Sequence, residues 1–171
     1  MTRVEPVRAD TPLAAFDTAR GRYGWLPNTI RVMARGTNAA DLYLAAGEFN
    51  ARGTVLPLAR ERIAIHVAET NGCEYCRTAH TLAARAVART ADADHRDVEA
   101  QVEFAARMLH TRGQLSDADL DDARTAGIDA QTMIDVAAVI AENMLGNLIN
   151  NLARTELDPM LRQRATREEI A

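Results

Sequence analysis

The only two cysteines of the chain stand three residues apart in "ETNGCEYCRTAHT", and a histidine follows the second by four. On a helix, Cys73, Cys76 and His80 fall within an arc of about 60°, because successive residues turn by ~100°. The three side chains then face one way. Asn71–Gly72 is a helix-stop and turn signal, so both cysteines are expected in the first turn of the following helix. Unpaired backbone N–H groups and the positive end of the helix dipole favour a thiolate there. A cysteine with the ordinary pKa of ~8.5 is only a few per cent ionised at neutral pH, so one unit of depression raises the reactive fraction several-fold.

A base strengthens this chemistry. His80 lies one turn after Cys76 on the same face, within reach to act as that base. If the helices on either side of Asn71–Gly72 fold back on each other, Glu61 and His80 stand at similar heights of ~12 to 15 Å from the turn. The spacing predicts a relay in which Glu61 holds and polarises His80, and His80, directly or through water, takes the proton of Cys76. Glu69, nearer the turn, reads as a solvated helix-end residue.

Taken alone, the pair leaves three readings open: a thiol redox pair, part of a metal site, or two small core residues with a histidine nearby. A structural zinc site needs four ligands where the pair and His80 offer three, so His66 or His110 would have to converge on it. Covalent c-type haem is excluded, because Arg77 stands where a C-x-x-C-H motif requires histidine. Inert core cysteines explain the pair but not the His80 spacing.

The elements that must position these residues are helical. Capping signals and a 3.6-residue apolar period divide nearly the whole chain into helices joined by short polar breaks, and strand signals are absent. "TPLAAFDTARGR" reads as a short helix with Pro12 in its first turn, and Pro27 of "GWLPN" opens a second. A third begins after Asn38 and stops near Gly53. Pro57 sits in the first turn of the fourth, "PLARERIAIHVAET", and the fifth runs from the cysteines to about Arg89. The sixth covers roughly "DHRDVEAQVEFAARMLHTR". Ser116 caps the seventh, with Asp119 at its third position and Gly127 as its stop, and Asp129 caps a long eighth. "DPMLRQRATREEIA" is a charged terminal helix or tail.

The eighth helix is apolar around much of its girth. Met133, Val136, Ile140, Met144 and Leu148 make one stripe, and Ile134, Ala137, Ala141 and Leu145 another, which suggests central burial or a subunit interface. Asn143, Asn147 and Asn150 form a polar seam in it. Buried amides must be paired, so hydrogen bonds between helices are expected of the seam, with Asn147 as a residue that can line a pocket. Trp25 reads as core or interface packing that can lid the site. His66, about 140° around its helix from Glu61, reads as structural or exposed, and His95 and His110 carry no motif.

Composition narrows the class. A chain of 171 residues suits one domain over 1–171, and 47% apolar residues with only 4% aromatics favour close-packed helices. The net charge of −4 gives no basic footprint for nucleic acid, and no nucleic-acid partner is expected. "MTRVEPVRAD" has no apolar leader core, and the longest unbroken apolar run, "VAAVIA", is short for a membrane span, so no membrane partner is expected. A cytoplasmic setting follows, where a close cysteine pair is more often catalytic, redox-sensing or metal-binding than a permanent staple.

"RERIAIHVAETNGCEYCRTAHTLAAR" resembles the central motif of the AhpD-like alkylhydroperoxidase and carboxymuconolactone decarboxylase superfamily, where Glu, then Cys-x-x-Cys, then His on two adjacent helices make the active site. The match places Glu61 twelve residues before Cys73 and His80 four after Cys76. "RYGWLPNTIRVMAR" and "LSDADLDDARTAGIDAQTMIDVAAVIAENMLGNLINNLARTELD" are similar to peroxidase-related members, so the resemblance covers a core of about 20–158. It implies an all-α subunit that assembles as a homo-oligomer, a trimer or hexamer, with the cysteines in a pocket near the interfaces. It implies a thiol-dependent peroxidase in which Cys76 is peroxidatic, Cys73 is resolving, and Glu61 and His80 form the proton relay. Hydroperoxide is then the substrate, and an external dithiol, a lipoyl or thioredoxin-like protein, is the reductant; no metal, haem or flavin is required. Tyr75 stands where the best-known alkylhydroperoxidases carry a second histidine; it can donate a hydrogen bond but is a poor base near neutral pH. The alternatives are a thiol–disulfide oxidoreductase or redox sensor with the same pair, a lactone decarboxylase, whose branch typically lacks Cys-x-x-Cys, and a non-catalytic helical or zinc-binding module.

Overall fold

The computed structural model describes residues 2–90 and 95–169, and these residues form helices joined by short turns. The helices are α1 (Ala14–Tyr23), α2 (Asn28–Met33), α3 (Ala39–Asn50), α4 (Pro57–Thr70), α5 (Glu74–Ala88), α6 (His95–Thr111), α7 (Asp117–Thr125), α8 (Ala130–Ala153) and α9 (Pro159–Glu169). No strand occurs among the described residues. The expected start of the sixth helix at Asp94, and the last two residues of the expected terminal segment, lie outside them.

Boundaries follow the capping chemistry, with small corrections. Pro12 and Pro27 stand outside their helices: Leu13 and Pro27 are the N-caps of α1 and α2. Pro57 is the first residue of α4, where its missing N–H costs nothing. Ser116 and Asp119 form a reciprocal capping box on α7, and Asp129 accepts from Thr132 N–H at 2.7 Å. The terminal segment resolves as helix α9. Its first residue, Pro159, follows a buried Asp158 whose carbonyl accepts from Arg162 N–H.

Helices α4 and α5 form the antiparallel hairpin at the centre, and α8 packs against α2, α3, α4, α5 and α6. Ala59, Ile63 and Val67 of α4 meet Val136 and Val139 of α8 in the main core, with Val98 and Phe104 of α6. A second cluster joins Phe16, Ile30, Met33 and Leu44 of the first three helices. By length and composition alone, α8 could cross a membrane, unlike the short apolar run read from the sequence. Its packing among five helices and its buried seam of Asn143, Asn147 and Asn150 are those of a core helix.

The close crossing of α3 and α8 depends on Gly146. A Cβ there would lie 3.1 Å from the ring of Tyr43. Gly146→Val is therefore expected to lower stability by about 1–3 kcal/mol through overpacking, read as a lower urea midpoint with an unchanged m-value.

The two stripes expected on α8 divide differently from their sequence grouping. Met133, Val136 and Ile140 are buried, whereas Leu148 of the same predicted stripe is exposed. Outward positions Ile134, Ala138, Ala141, Leu145, Leu148 and Leu152 follow a four–three spacing along the helix, and Ile134, Leu148 and Leu152 are at least 60% exposed. Drift of the 3.6 period toward 3.5 is what leaves such a seam on one side of a long helix.

Candidate active site

The turn between α4 and α5 is closed by backbone bonds that deliver Cys73. Asn71 ends α4, Gly72 takes the left-handed conformation (φ 63°), Gly72 N–H donates to Glu69 O at 3.2 Å, and Cys73 N–H donates to Ala68 O at 2.8 Å. This pair of bonds is the Schellman arrangement, and the positive φ is what glycine supplies. Cys73 is thereby the N-cap of α5. Its sulfur accepts from Cys76 N–H at 3.4 Å, the role that a Ser or Asp oxygen usually plays.

The two sulfurs titrate as one buried unit. A hydrogen bond from the Cys76 side chain lowers the Cys73 pKa; burial opposes it, and the Cys76 backbone N–H and His80 reinforce it. Cys76 is pushed far up, first as the donor in that bond, then by burial and the adjacent Cys73 charge, while Asn150 and Asn147 pull it down. The same bond thus favours the thiolate on Cys73 and the thiol on Cys76.

Glu61 and His80 meet across the hairpin. His80 Nδ1 lies 2.8 Å from Glu61 Oε2, with both side chains mostly buried. Among the described residues, no hydrogen bond joins His80 to either sulfur; the polar contact of Cys76 from outside α5 is Asn150 Nδ2 at 3.3 Å. Glu69 is exposed at the end of α4, and His66 is half-buried outside the pocket.

A pocket of about 460 Å³ lies against these residues. Cys76, His80, Glu61, Tyr75, Trp25 and Asn150 line it, and Cys73 and Asn147 do not. Its apolar wall comes from Trp25, Tyr43, Leu82 and Leu161, so Trp25 belongs both to the packing around the cysteines and to the pocket surface. Glu142, with its pKa raised by burial, accepts from Asn50 Nδ2 at 2.7 Å on another part of the wall.

Tyr75 is committed elsewhere. Its hydroxyl donates to Asp158 Oδ2 at 2.6 Å and accepts weakly from Thr29 N–H at 3.4 Å. Asp158, only 4% exposed, also accepts from Asn28 N–H at 3.0 Å. Burial raises the Asp158 carboxyl pKa and the bonds from Tyr75 and Asn28 lower it, while burial and the nearby carboxylate push the Tyr75 phenol far up. The residue between the cysteines thus ties α5 to α2 and to the start of α9, and its proton is spent on Asp158. Hydrogen-bond donation from Tyr75 to a peroxide would require breaking that bond.

The asparagine seam is split three ways. Asn143 Nδ2 donates to Val139 O of its own helix at 2.9 Å, Asn147 Oδ1 accepts from Asn71 Nδ2 at 3.2 Å, and Asn150 reaches Cys76. Asn143 and Asn150, not Asn147, reach the pocket wall. Asp158 and Asn150 escape a reading based on the cysteine motif. Asp158 had a signal in the Asp-Pro step, which is how a helix start is written, and Asn150 had one in its seven-residue offset from Asn143.

Among the described residues, no three or more His, Cys, Asp or Glu side chains converge as a metal site. The fold and site together define, among the described residues, an all-helical chain with a buried Cys-x-x-Cys at a helix N-terminus, opening on a pocket shared with a Glu–His pair. That fold is the AhpD-like one. An alkylhydroperoxidase AhpD core protein from Ralstonia eutropha JMP134, an uncharacterized peroxidase-related protein, superposes with a TM-score of 0.80 at 20% identity, over 94% of each chain. A peroxidase-related protein from Silicibacter sp. TM1040 gives a TM-score of 0.75 at 21% identity, over 92% of this chain and 93% of the other. The debrominase Bmp8, solved with 2,3,4-tribromopyrrole as a cysteine-to-alanine variant, gives 0.75 at 21% identity, over 100% of this chain and 98% of the other. No protein-family model matches the chain, nor does any curated protein.

Proposed function

We propose that this protein is a thiol-dependent peroxidase in which Cys76 attacks the O–O bond of a hydroperoxide. The observation that carries the reading is the placement of Cys76 on the wall of a pocket that also holds the Glu61–His80 contact, with Cys73 directly behind it. Cys76 thiolate takes the terminal oxygen, the alkoxide leaves and is protonated, and Cys76 becomes a sulfenic acid. The Cys73 thiol condenses with it, releasing water and forming a disulfide. An external dithiol, a lipoyl or thioredoxin-like protein in a cytoplasmic setting, then reduces that disulfide by exchange. His80, held by Glu61, handles the protons of the first step. The test is consumption of cumene hydroperoxide with dihydrolipoamide or dithiothreitol as donor. Disulfide exchange without peroxide consumption would select an oxidoreductase or sensor that uses the same pair.

The likeness to the debrominase favours a second reading of the same chemistry. A thiolate can take a bromine from an electron-rich ring, the ring carbon gaining a proton, after which Cys73 displaces bromide and the disulfide forms. The aromatic and aliphatic wall of the pocket suits such a ring. Bromide release from a bromopyrrole with the same dithiol donor separates the two.

The subunit works as a homo-oligomer through the outward seam of α8. Its four–three spacing fits a helix from a second copy, and Leu42 and Phe49 of the neighbouring α3 are also more than half exposed. Leu148→Glu with Leu152→Glu is expected to convert the oligomer to monomer in sedimentation velocity, whereas wild type sedimenting as a monomer would exclude the assembly.

A further inference from the structure

Two amides of α8 flank the Cys76 sulfur. Asn150 Nδ2 donates to it at 3.3 Å. Asn147, three residues earlier and on the same side of the helix, has its Oδ1 taken by Asn71 Nδ2 at 3.2 Å, which sets the way its amide is turned. The Asn147 Nδ2 that results is buried and has no hydrogen-bond partner. A buried N–H left unpaired is costly, and the cost is accepted where a charge will arrive to meet it. Both side chains are at least 95% buried, and both act to favour the charged form of Cys76.

We infer that the Asn147 and Asn150 amides form a donor pair for negative charge on Cys76, and so decide that the thiolate facing the pocket is Cys76 and not Cys73. This rests on the thiol reading of the site, but not on the identity of the substrate. When the pair holds a single proton, the hydrogen bond from the Cys76 side chain favours the charge on Cys73. Transfer of that one proton from Cys76 to Cys73 moves the charge to Cys76 with no net change in protons. The amides then act on the sulfur as charge-assisted donors, in the manner of an oxyanion hole. Asn71 keeps the donors in register: its side chain turns Asn147, and its carbonyl accepts from Asn151 Nδ2 at 2.8 Å, clamping the turn before Cys73 to α8.

The other titratable or charged groups around Cys76 are Cys73, Tyr75 and His80 of the α5 segment, Arg60 and Glu61 of α4, Arg22 and Tyr23 of α1, Tyr43 of α3, Glu142 of α8 and Arg164 of α9. All are held the same in the comparison that tests the inference, with Cys73 replaced by serine throughout. The measurement is the pH dependence of iodoacetamide alkylation of Cys76 in a Cys73→Ser background, where it is the single thiol. Asn150→Ala and Asn147→Ala are each expected to raise the midpoint by about one unit, slowing alkylation at neutral pH about tenfold. Asn150→Asp and Asn147→Asp, nearly the same size but with a carboxylate for the donor, should raise it further than alanine does. Loosened packing would not order the variants that way. Midpoints within a few tenths of the parent for both alanine variants, or aspartate variants at or below the parent, would overturn the inference. Alkylation consumes no peroxide, so a wild type without peroxide turnover would remove the peroxidase reading and leave this result standing.

Discussion

Cys76→Ser is expected to reduce hydroperoxide consumption to background, a loss of more than about a thousandfold, because removal of the attacking atom leaves only binding and the relay. Cys73→Ser is expected to behave differently. Without added dithiol it should consume close to one equivalent of peroxide per chain and keep the sulfenic acid on Cys76, which has no internal thiol to condense with. A dimedone adduct on Cys76 identifies that species by mass. The electrostatics make the contrast informative, because the structure lowers the pKa of Cys73 while raising that of Cys76. Acidity alone would nominate Cys73 as nucleophile. Access nominates Cys76, since it lines the pocket and Cys73, capping α5 from behind, does not. A burst in Cys76→Ser with none in Cys73→Ser would reverse the two roles.

The motif made part of this site legible in one dimension. Counting residues outward from Asn71–Gly72 puts Glu61 and His80 at one height, and the hairpin brings them to 2.8 Å because two antiparallel helices of equal rise keep that count. The helices themselves were legible from caps: Ser116, Asp129, Pro57 and Gly72 each mark an end by a local interaction. What sequence could not order was contact between elements far apart in the chain. Tyr75 and Asp158 are 83 residues apart, and Asn150 and Cys76 are 74 apart. Those pairs depend on how α8 and α9 cross α5. The choice of Asn147 over Asn150 as the pocket-facing amide needed the rotation of α8 about its own axis, and a helix apolar on most sides carries no strong signal for that angle. The same ambiguity left central burial and a subunit interface both open for the stripe of Leu148, which is exposed while Met133, Val136 and Ile140 are buried.

Glu61→Gln and His80→Asn should both slow the peroxide step, His80→Asn by about 10²–10⁴-fold and Glu61→Gln by less. His80 offers the ring that moves a proton; Glu61 acts through it, as a positioning residue. Glutamine keeps an oxygen that can accept from Nδ1 but removes the charge that steadies an imidazolium, so the loss should appear in the rate of sulfenic acid formation and not in peroxide binding. Since no hydrogen bond links His80 to a sulfur in the resting site, the histidine should matter most once the peroxide bridges the gap, with its greatest effect on protonation of the leaving oxygen. A substrate with a more acidic leaving alcohol should therefore lose less rate in His80→Asn than cumene hydroperoxide does. Equal losses for leaving groups of different acidity would place His80 outside that proton transfer.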